Sequence, residues 1–276
     1  MFDAFRYDGK RALVVGAASG MGAATAALAL DAGAEVIGMD FAPVTLDGAR
    51  AIKVNLADRA TIDAALDELG GPIDVLFSCA GVADGTPGIE KINFIGHRYM
   101  VNRLLERGWL TRGGAIGFIS SAAGLGWEAN LELANEYLDI DDFDTASQWA
   151  VDHGKADYMW SKQAICAYVA REAMGLLKQG IRINAICPGP TDTPLAQANK
   201  DMWLGFGADY REAVGIEAAT PLEQAYPLVF LCSAAASAMT GQIVITDSGY
   251  FSSGLTGSFP DAQPAVHFLL GRYGAL

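Results

Sequence analysis

Tyr158 and Lys162 stand four residues apart in Tyr-Met-Trp-Ser-Lys, which puts a phenol and an ammonium on one face of a helix. A tyrosine titrating near 10 is a weak base at neutral pH, and an adjacent cation favours its phenolate. A fall of about two to three pH units requires about 3–4 kcal/mol of differential interaction. Such a phenol can take a proton from a hydroxyl or return one to a carbonyl oxygen. Ser120-Ser121-Ala-Ala-Gly124 offers a hydroxyl to polarise that oxygen, because it closes a predicted strand. In an open parallel sheet, ligands sit outside the carboxyl ends of the strands.

A second motif lies near the amino end. Gly16-Ala-Ala-Ser-Gly20-Met-Gly22 falls where a strand meets a helix. Glycine there permits a sharp turn and close backbone approach to a pyrophosphate at a helix N-terminus. The spacing departs from the general dinucleotide fingerprint, and glycine-rich turns also occur for packing alone. Asp40 strengthens the functional reading, since it ends the next strand where a carboxylate can bind both ribose hydroxyls. Its charge would repel a 2′-phosphate, and no Arg or Lys occupies Ala17 to Met21 or Phe41. NAD is therefore expected and NADP disfavoured. The plain alternative is that Asp40 caps a turn.

These side chains need a scaffold, and the chain supplies strands alternating with helices. Strands are predicted at 12–15, 34–39, 51–54, 73–77, 115–119, 181–186 and 243–245. Helices are predicted over 21–32, 59–69, 92–107, 158–178 and 222–233. The alternation implies βαβ crossovers and one α/β domain spanning 1–276, a Rossmann-type doubly wound parallel sheet of about seven strands. Residues 127–154 interrupt it as an acidic helical insertion with eight carboxylates and no Lys or Arg. Trp127, Leu131, Ala134 and Leu138 are placed on its inner face, and Glu128, Glu132 and Glu136 face solvent. The segment 193–219, with Met202, Trp203, Phe206 and Tyr210 among glycines, reads as a substrate-binding lid or as an ordinary packed connector.

The 276 residues carry 19 Lys plus Arg against 32 Asp plus Glu, a net charge of −13, which argues against nucleic acid and anionic membranes as partners. Cys79, Cys166, Cys187 and Cys232 are scattered, without Cys-x-x-Cys, so neither a disulfide scaffold nor a zinc site is expected. With His97, His153 and His267 equally dispersed, no metal is predicted. Cys79, at a strand end, reads as inert rather than nucleophilic. The uncharged stretch 224–246 is broken by Pro227, Gly241 and Gln242, so a helix, a turn and a strand fit it better than a membrane span. A soluble cytoplasmic protein is expected.

In combination and in order, these motifs resemble those of the short-chain dehydrogenase/reductase family from about Lys10 to Tyr250. The resemblance implies phosphate and ribose contacts from Gly16, Ser19, Gly20, Met21 and Gly22, with Asp40 on the adenosine ribose. It implies Asn55 and Leu56 beside adenine, and Ala80 and Gly81 beneath the cofactor. Pro188, Gly189, Thr191 and Thr193 would lie near the carboxamide. Ser121 would polarise the substrate oxygen, Tyr158 would act as acid/base, Lys162 would bind ribose, and Asn93 would hold a water in a proton relay. Cys79 stands where the family usually has Asn, Asn55 where it often has Asp, and Val15 where Thr is usual. The 37 residues from Ser121 to Tyr158 exceed the common family spacing, and the insertion fills the gap.

With Ile186 to Gln197, that insertion resembles the bacterial 3α-hydroxysteroid dehydrogenase/carbonyl reductases. A small apolar secondary alcohol or ketone is expected, bulky and steroid-like, contacted by Ser121, Tyr158, Met202, Trp203 and Phe206, although Met202 and Trp203 fit a small core helix equally well. A homodimer or homotetramer is expected, with the insertion packed beside the catalytic helix and altering a subunit contact. His97 could join a relay but reads better as a partly exposed helix residue. The apolar tail, 251–276, would pack on a neighbouring subunit or over the cleft. The competing functions are 3-oxoacyl reduction on the same fold, which Asp40 and the acidic surface oppose, and non-catalytic NAD binding, which has no use for a tuned tyrosine.

Overall fold

Four of the five residues of β1 (Arg11–Val15) are buried, as befits a strand covered on both faces. Leu13 and Val15 enter the core on one side while Ala12 and Val14 enter the core on the other. The same two-sided burial recurs in β2 (Glu35–Asp40), β4 (Ile73–Ser78) and β6 (Arg182–Pro188). With β3 (Arg50–Lys53), β5 (Leu110–Ile119) and β7 (Ile243–Thr246), they form a seven-stranded sheet in a computed structural model that describes residues 2–271. Every pairing is parallel and the order is β3-β2-β1-β4-β5-β6-β7. The order reverses between β1 and β4, so the crevice lies beyond the carboxyl ends of those two strands.

Helices α1 (Gly20–Asp31), α2 (Arg59–Leu69) and α3 (Gly96–Glu106) cross between the early strands. The insertion provides α4 (Leu131–Leu138) and α5 (Phe143–Asp152), followed by the long α6 (Tyr158–Lys178). Three short helices, α7 (Pro194–Ala198), α8 (Lys200–Trp203) and α9 (Ala208–Val214), occupy the expected lid segment. Helix α10 (Pro221–Cys232) returns to β7, and α11 (Tyr250–Thr256) and α12 (Gln263–Leu269) complete the described chain. Local chemistry sets the helix starts: Asp58, Asp157 and Thr193 each accept from a first-turn N–H, and Thr220 with Glu223 forms a capping box.

The third crossover helix departs from its expected form by opening with a π-helical turn, Lys91–Ile95. The insertion buries Ala134 and Leu138 as expected, but its inner face differs at one position. Leu131 is 41 % exposed, and Tyr137 is buried instead, its ring 4.9 Å from Trp149 and 5.9 Å from Trp160. An aromatic stack thus joins the insertion to α6. Glu90, itself buried, accepts a hydrogen bond from Ser147 Oγ of α5 at 2.7 Å. That bond ties the insertion to the π-helical turn. No described helix is long and apolar enough to cross a membrane.

Candidate active site

The β1–α1 turn shows why three glycines are needed. A Cβ on Gly16, at φ +93°, would lie 2.4 Å from Ala80 N, and one on Gly22 would lie 1.9 Å from Gly16 O. These two are fixed by the chain's own packing, whereas at Gly20 (φ +55°) the nearest atom to a Cβ would be in the Thr193 side chain, at 3.4 Å. Ser19 precedes α1 in extended form without capping it by its side chain, and no acidic residue occupies the first turn. Uncapped N–H groups at a helix N-terminus suit a phosphate. A cleft of about 480 Å³ runs from here, lined by all of Gly16, Ser19, Gly20, Met21, Gly22, Asp40, Asn55, Leu56, Ala80, Gly81 and Thr193. The turn, the uncapped helix and a cleft lined from Gly16 to both Asp40 and Thr193 fit a dinucleotide.

Asp40 combines both readings given to it. Oδ2 accepts from Ala18 N and Oδ1 from Ala42 N, each at 2.9 Å, so it ties the glycine-rich turn to its own strand end while lining the cleft. The fold adds a cation that neighbours in sequence did not reveal: Lys53 pairs in register with Asp40, its Nζ 5.4 Å from the centre of the Phe41 ring.

A second cleft, about 370 Å³, adjoins the first, and Met21, Cys79, Gly81 and Thr193 line both. Ser121, Tyr158, Lys162, Pro188, Gly189 and Thr191 line the second, as do Met202, Trp203 and Phe206. The Ser121 hydroxyl, which accepts from Ala123 N at 3.2 Å, favours the Tyr158 phenolate. Lys162 Nζ lies 5.4 Å from the Tyr158 ring centre and donates to Ile119 O at 3.0 Å. Asn93, fully buried on the π-helical turn, accepts from Val82 N at 2.8 Å and donates to Val82 O and Ser161 Oγ. A Cβ on Gly81 would stand in ordinary contact, 3.5 Å, with both Asn93 Oδ1 and Lys162 Nζ, so both groups face this point of the cleft. All four expected catalytic side chains therefore meet around the junction of the clefts.

The electrostatics differ from the expectation. Burial pushes Tyr158 up to about 12, with a smaller push from Asp84, and the Ser121 hydroxyl only partly opposes this. Burial likewise brings Lys162 down to about 8. A dry site disfavours both charged forms, and in the protein alone the expected lowering of the phenol is not found.

Other expectations are corrected here. His97 is 1 % exposed rather than partly open; Nε2 lies 3.1 Å from Ala80 O, and burial brings it down to about 4. Tyr210 does not line the cleft. It is held among Tyr250 and Phe259 and donates to Ser248 O at 3.0 Å. Cys166 and Cys187 are brought to 3.7 Å, yet all four cysteines are free, and burial pushes Cys79 up to about 12. Trp203 is no core residue; its ring is 4.9 Å from that of Tyr158, while Met202 is exposed.

Sequence reading missed Asp84 and Met159 in the lining, whereas Phe268 and Leu269 belong to the tail, for which a place over the cleft was one of two expectations. The last two come from α12, so the tail reaches the cleft; Tyr273, also assigned to the tail, lies outside the described residues. The apolar pattern of the tail signals that it packs somewhere, and long-range packing decides that α12 reaches the cleft. Among the described residues no group of three or more His, Cys, Asp or Glu could hold a metal ion.

Comparisons with known proteins agree with this architecture. A family model described as short chain dehydrogenase matches residues 10–131, and one described as enoyl-(acyl carrier protein) reductase matches 144–251. The gap between them falls inside the insertion. Coniferyl-alcohol dehydrogenase of Pseudomonas sp. is 30 % identical over 88 % of this chain and 97 % of its own. The 3-alpha-hydroxysteroid dehydrogenase/carbonyl reductase of Comamonas testosteroni is 29 % identical, covering 86 % and 95 %. The crystal structure of the 3-alpha-hydroxysteroid dehydrogenase from Pseudomonas sp. B-0831 complexed with NADH superposes with a TM-score of 0.71 at 27 % identity, covering 90 % of this chain and 98 % of that one. With its parallel sheet, its glycine-lined crevice and relatives matched almost end to end, the chain belongs to the short-chain dehydrogenase/reductase family of oxidoreductases.

Proposed function

We propose that this protein interconverts a bulky apolar secondary alcohol and its ketone, using NAD. The observation that carries the reading is that Ser121, Tyr158 and Lys162 line a cleft walled by Trp203, Phe206 and Leu269 that adjoins the glycine-lined cleft, with Asn93 beside Gly81 where the two meet. A nicotinamide dinucleotide supplies a hydride acceptor there and, when oxidised, a positive charge near the phenol. Ser121 Oγ orients the alcohol oxygen and Tyr158 Oη takes its proton. Lys162, held through Ile119 O, supports the charge that develops on the phenol. Asn93, fixed on Val82, is the residue that would hold a water of the proton relay. Asp40 supports NAD over NADP, since a 2′-phosphate would meet its carboxylate. A homo-oligomer that acts on a steroid-like substrate in the cytoplasm completes the proposal.

The experiment is Tyr158→Phe, assayed by nicotinamide absorbance on a panel of steroid, terpene and aryl alcohols with NAD and NADP. Turnover should fall by about a hundredfold or more while NAD binding persists. Retained turnover would remove Tyr158 from its role, and equal rates with NADP would remove Asp40 from its own.

A further inference from the structure

The second cleft is apolar almost throughout, and its described lining holds only two charged side chains, Lys162 and Asp84. Lys162 is 3 % exposed and spends a hydrogen bond on Ile119 O, at the cofactor side. Asp84 is different. It is exposed, sits on the loop after β4 and accepts from Tyr158 N at 2.7 Å, so its carboxylate is pinned to the first turn of α6 beside the phenol. The positive end of the helix dipole holds an anion well in that place. Among the described residues no ion pair takes up its charge. Among the described residues, a substrate entering this cleft therefore meets a fixed negative charge and no accessible cation.

We infer that Asp84 determines charge specificity, so that the cleft accepts neutral or cationic alcohols and discriminates against those bearing a carboxylate. This rests on the proposed alcohol oxidation at Tyr158. The fixed charge acts at long range, so it selects by substrate charge and not by a single contact. At a separation of about 7 Å and an intermediate effective dielectric, repulsion between two carboxylates corresponds to about a tenfold loss in kcat/KM.

The test uses a matched pair, cis-4-hydroxycyclohexanecarboxylate and its methyl ester, oxidised with NAD by the full chain. The wild type should prefer the ester by about tenfold. In Asp84→Asn, which keeps an oxygen for Tyr158 N–H, the preference should fall to near unity. Salt provides a second measurement on the wild type alone: raising it from about 0.02 to 0.5 M should narrow the same ratio by screening. A wild-type ratio near unity, or one that neither the variant nor salt changes, overturns the inference and leaves the alcohol chemistry standing. No turnover of these two compounds or of any alcohol in the steroid, terpene and aryl panel overturns the alcohol chemistry itself.

Discussion

Replacing Lys162 with Met should make the protein more stable while abolishing its activity. In the folded chain Lys162 is almost wholly enclosed, and burial brings its ammonium from the ordinary 10.5 down to about 8. That difference corresponds to a cost of about 3 kcal/mol for keeping the ammonium charged at pH 7. Met has a similar reach and no charge to desolvate. The substitution removes the donor to Ile119 O, a loss of about 1 kcal/mol. The net expectation is about 2 kcal/mol of added stability, or a rise in Tm of about 4–8 °C at this chain length. The pH dependence carries a sign that packing alone would not produce. Between about 8 and 10.5 the unfolded chain holds the Lys162 proton and the folded chain does not, so wild-type stability gains with rising pH. The variant, lacking that group, gains nothing from it. Its advantage should be full below pH 8, vanish near pH 10 and reverse by about 1 kcal/mol at higher pH, where only the lost bond to Ile119 O remains. Thermal unfolding of both proteins without dinucleotide, at pH 7, 8, 9 and 10, decides the matter. A variant less stable at pH 7, or an advantage independent of pH, would refute the reasoning.

Gly22→Ala should destabilise the fold by about 1–3 kcal/mol, seen as a lower Tm, because its Cβ would fall 1.9 Å from Gly16 O. Gly175→Ala is the opposite case: it lies inside α6 with no atom within 4 Å of a new Cβ, so unfolding should show about 1 kcal/mol of gain. Asp40→Ala should shift the NAD-to-NADP ratio of kcat/KM toward NADP by at least about tenfold, and adding Lys53→Ala should reverse part of that shift. Trp203→Ala, which strips the ring packed 4.9 Å from Tyr158, should raise KM for bulky apolar alcohols about tenfold and affect small ones less.

The strands and crossover helices were legible in the sequence because a parallel sheet buried on both faces leaves continuous aliphatic runs, as in Ala12 to Val15. The glycine turn and Asp40 were legible because a tight turn and a strand end constrain residue type locally. What escaped depends on contacts between distant segments. His97 reads as half-open on its own helix but is covered by Phe118 and the Ala80 carbonyl. Tyr210 resembles a cover residue until α11 supplies Tyr250 as its neighbour. Asp84 is one acid on a short loop, and only the fold puts it against Tyr158. The protonation balance of Tyr158 and Lys162 was missed for a further reason: spacing shows that two groups meet, but not how dry their meeting place is.

The hydrogen bond from Ser147 to Glu90 has a bearing on how such enzymes can be re-engineered. Residues 127–154 look like a detachable module, something to delete for a leaner scaffold or to graft onto a relative. Deletion would strand the enclosed Glu90 carboxylate beside the turn that carries Asn93 and strip Trp160 of its aromatic neighbours. Transplanted without a matching acid in the recipient, the same module would arrive with a seryl hydroxyl and no acceptor for it. Donor and acceptor have to travel together.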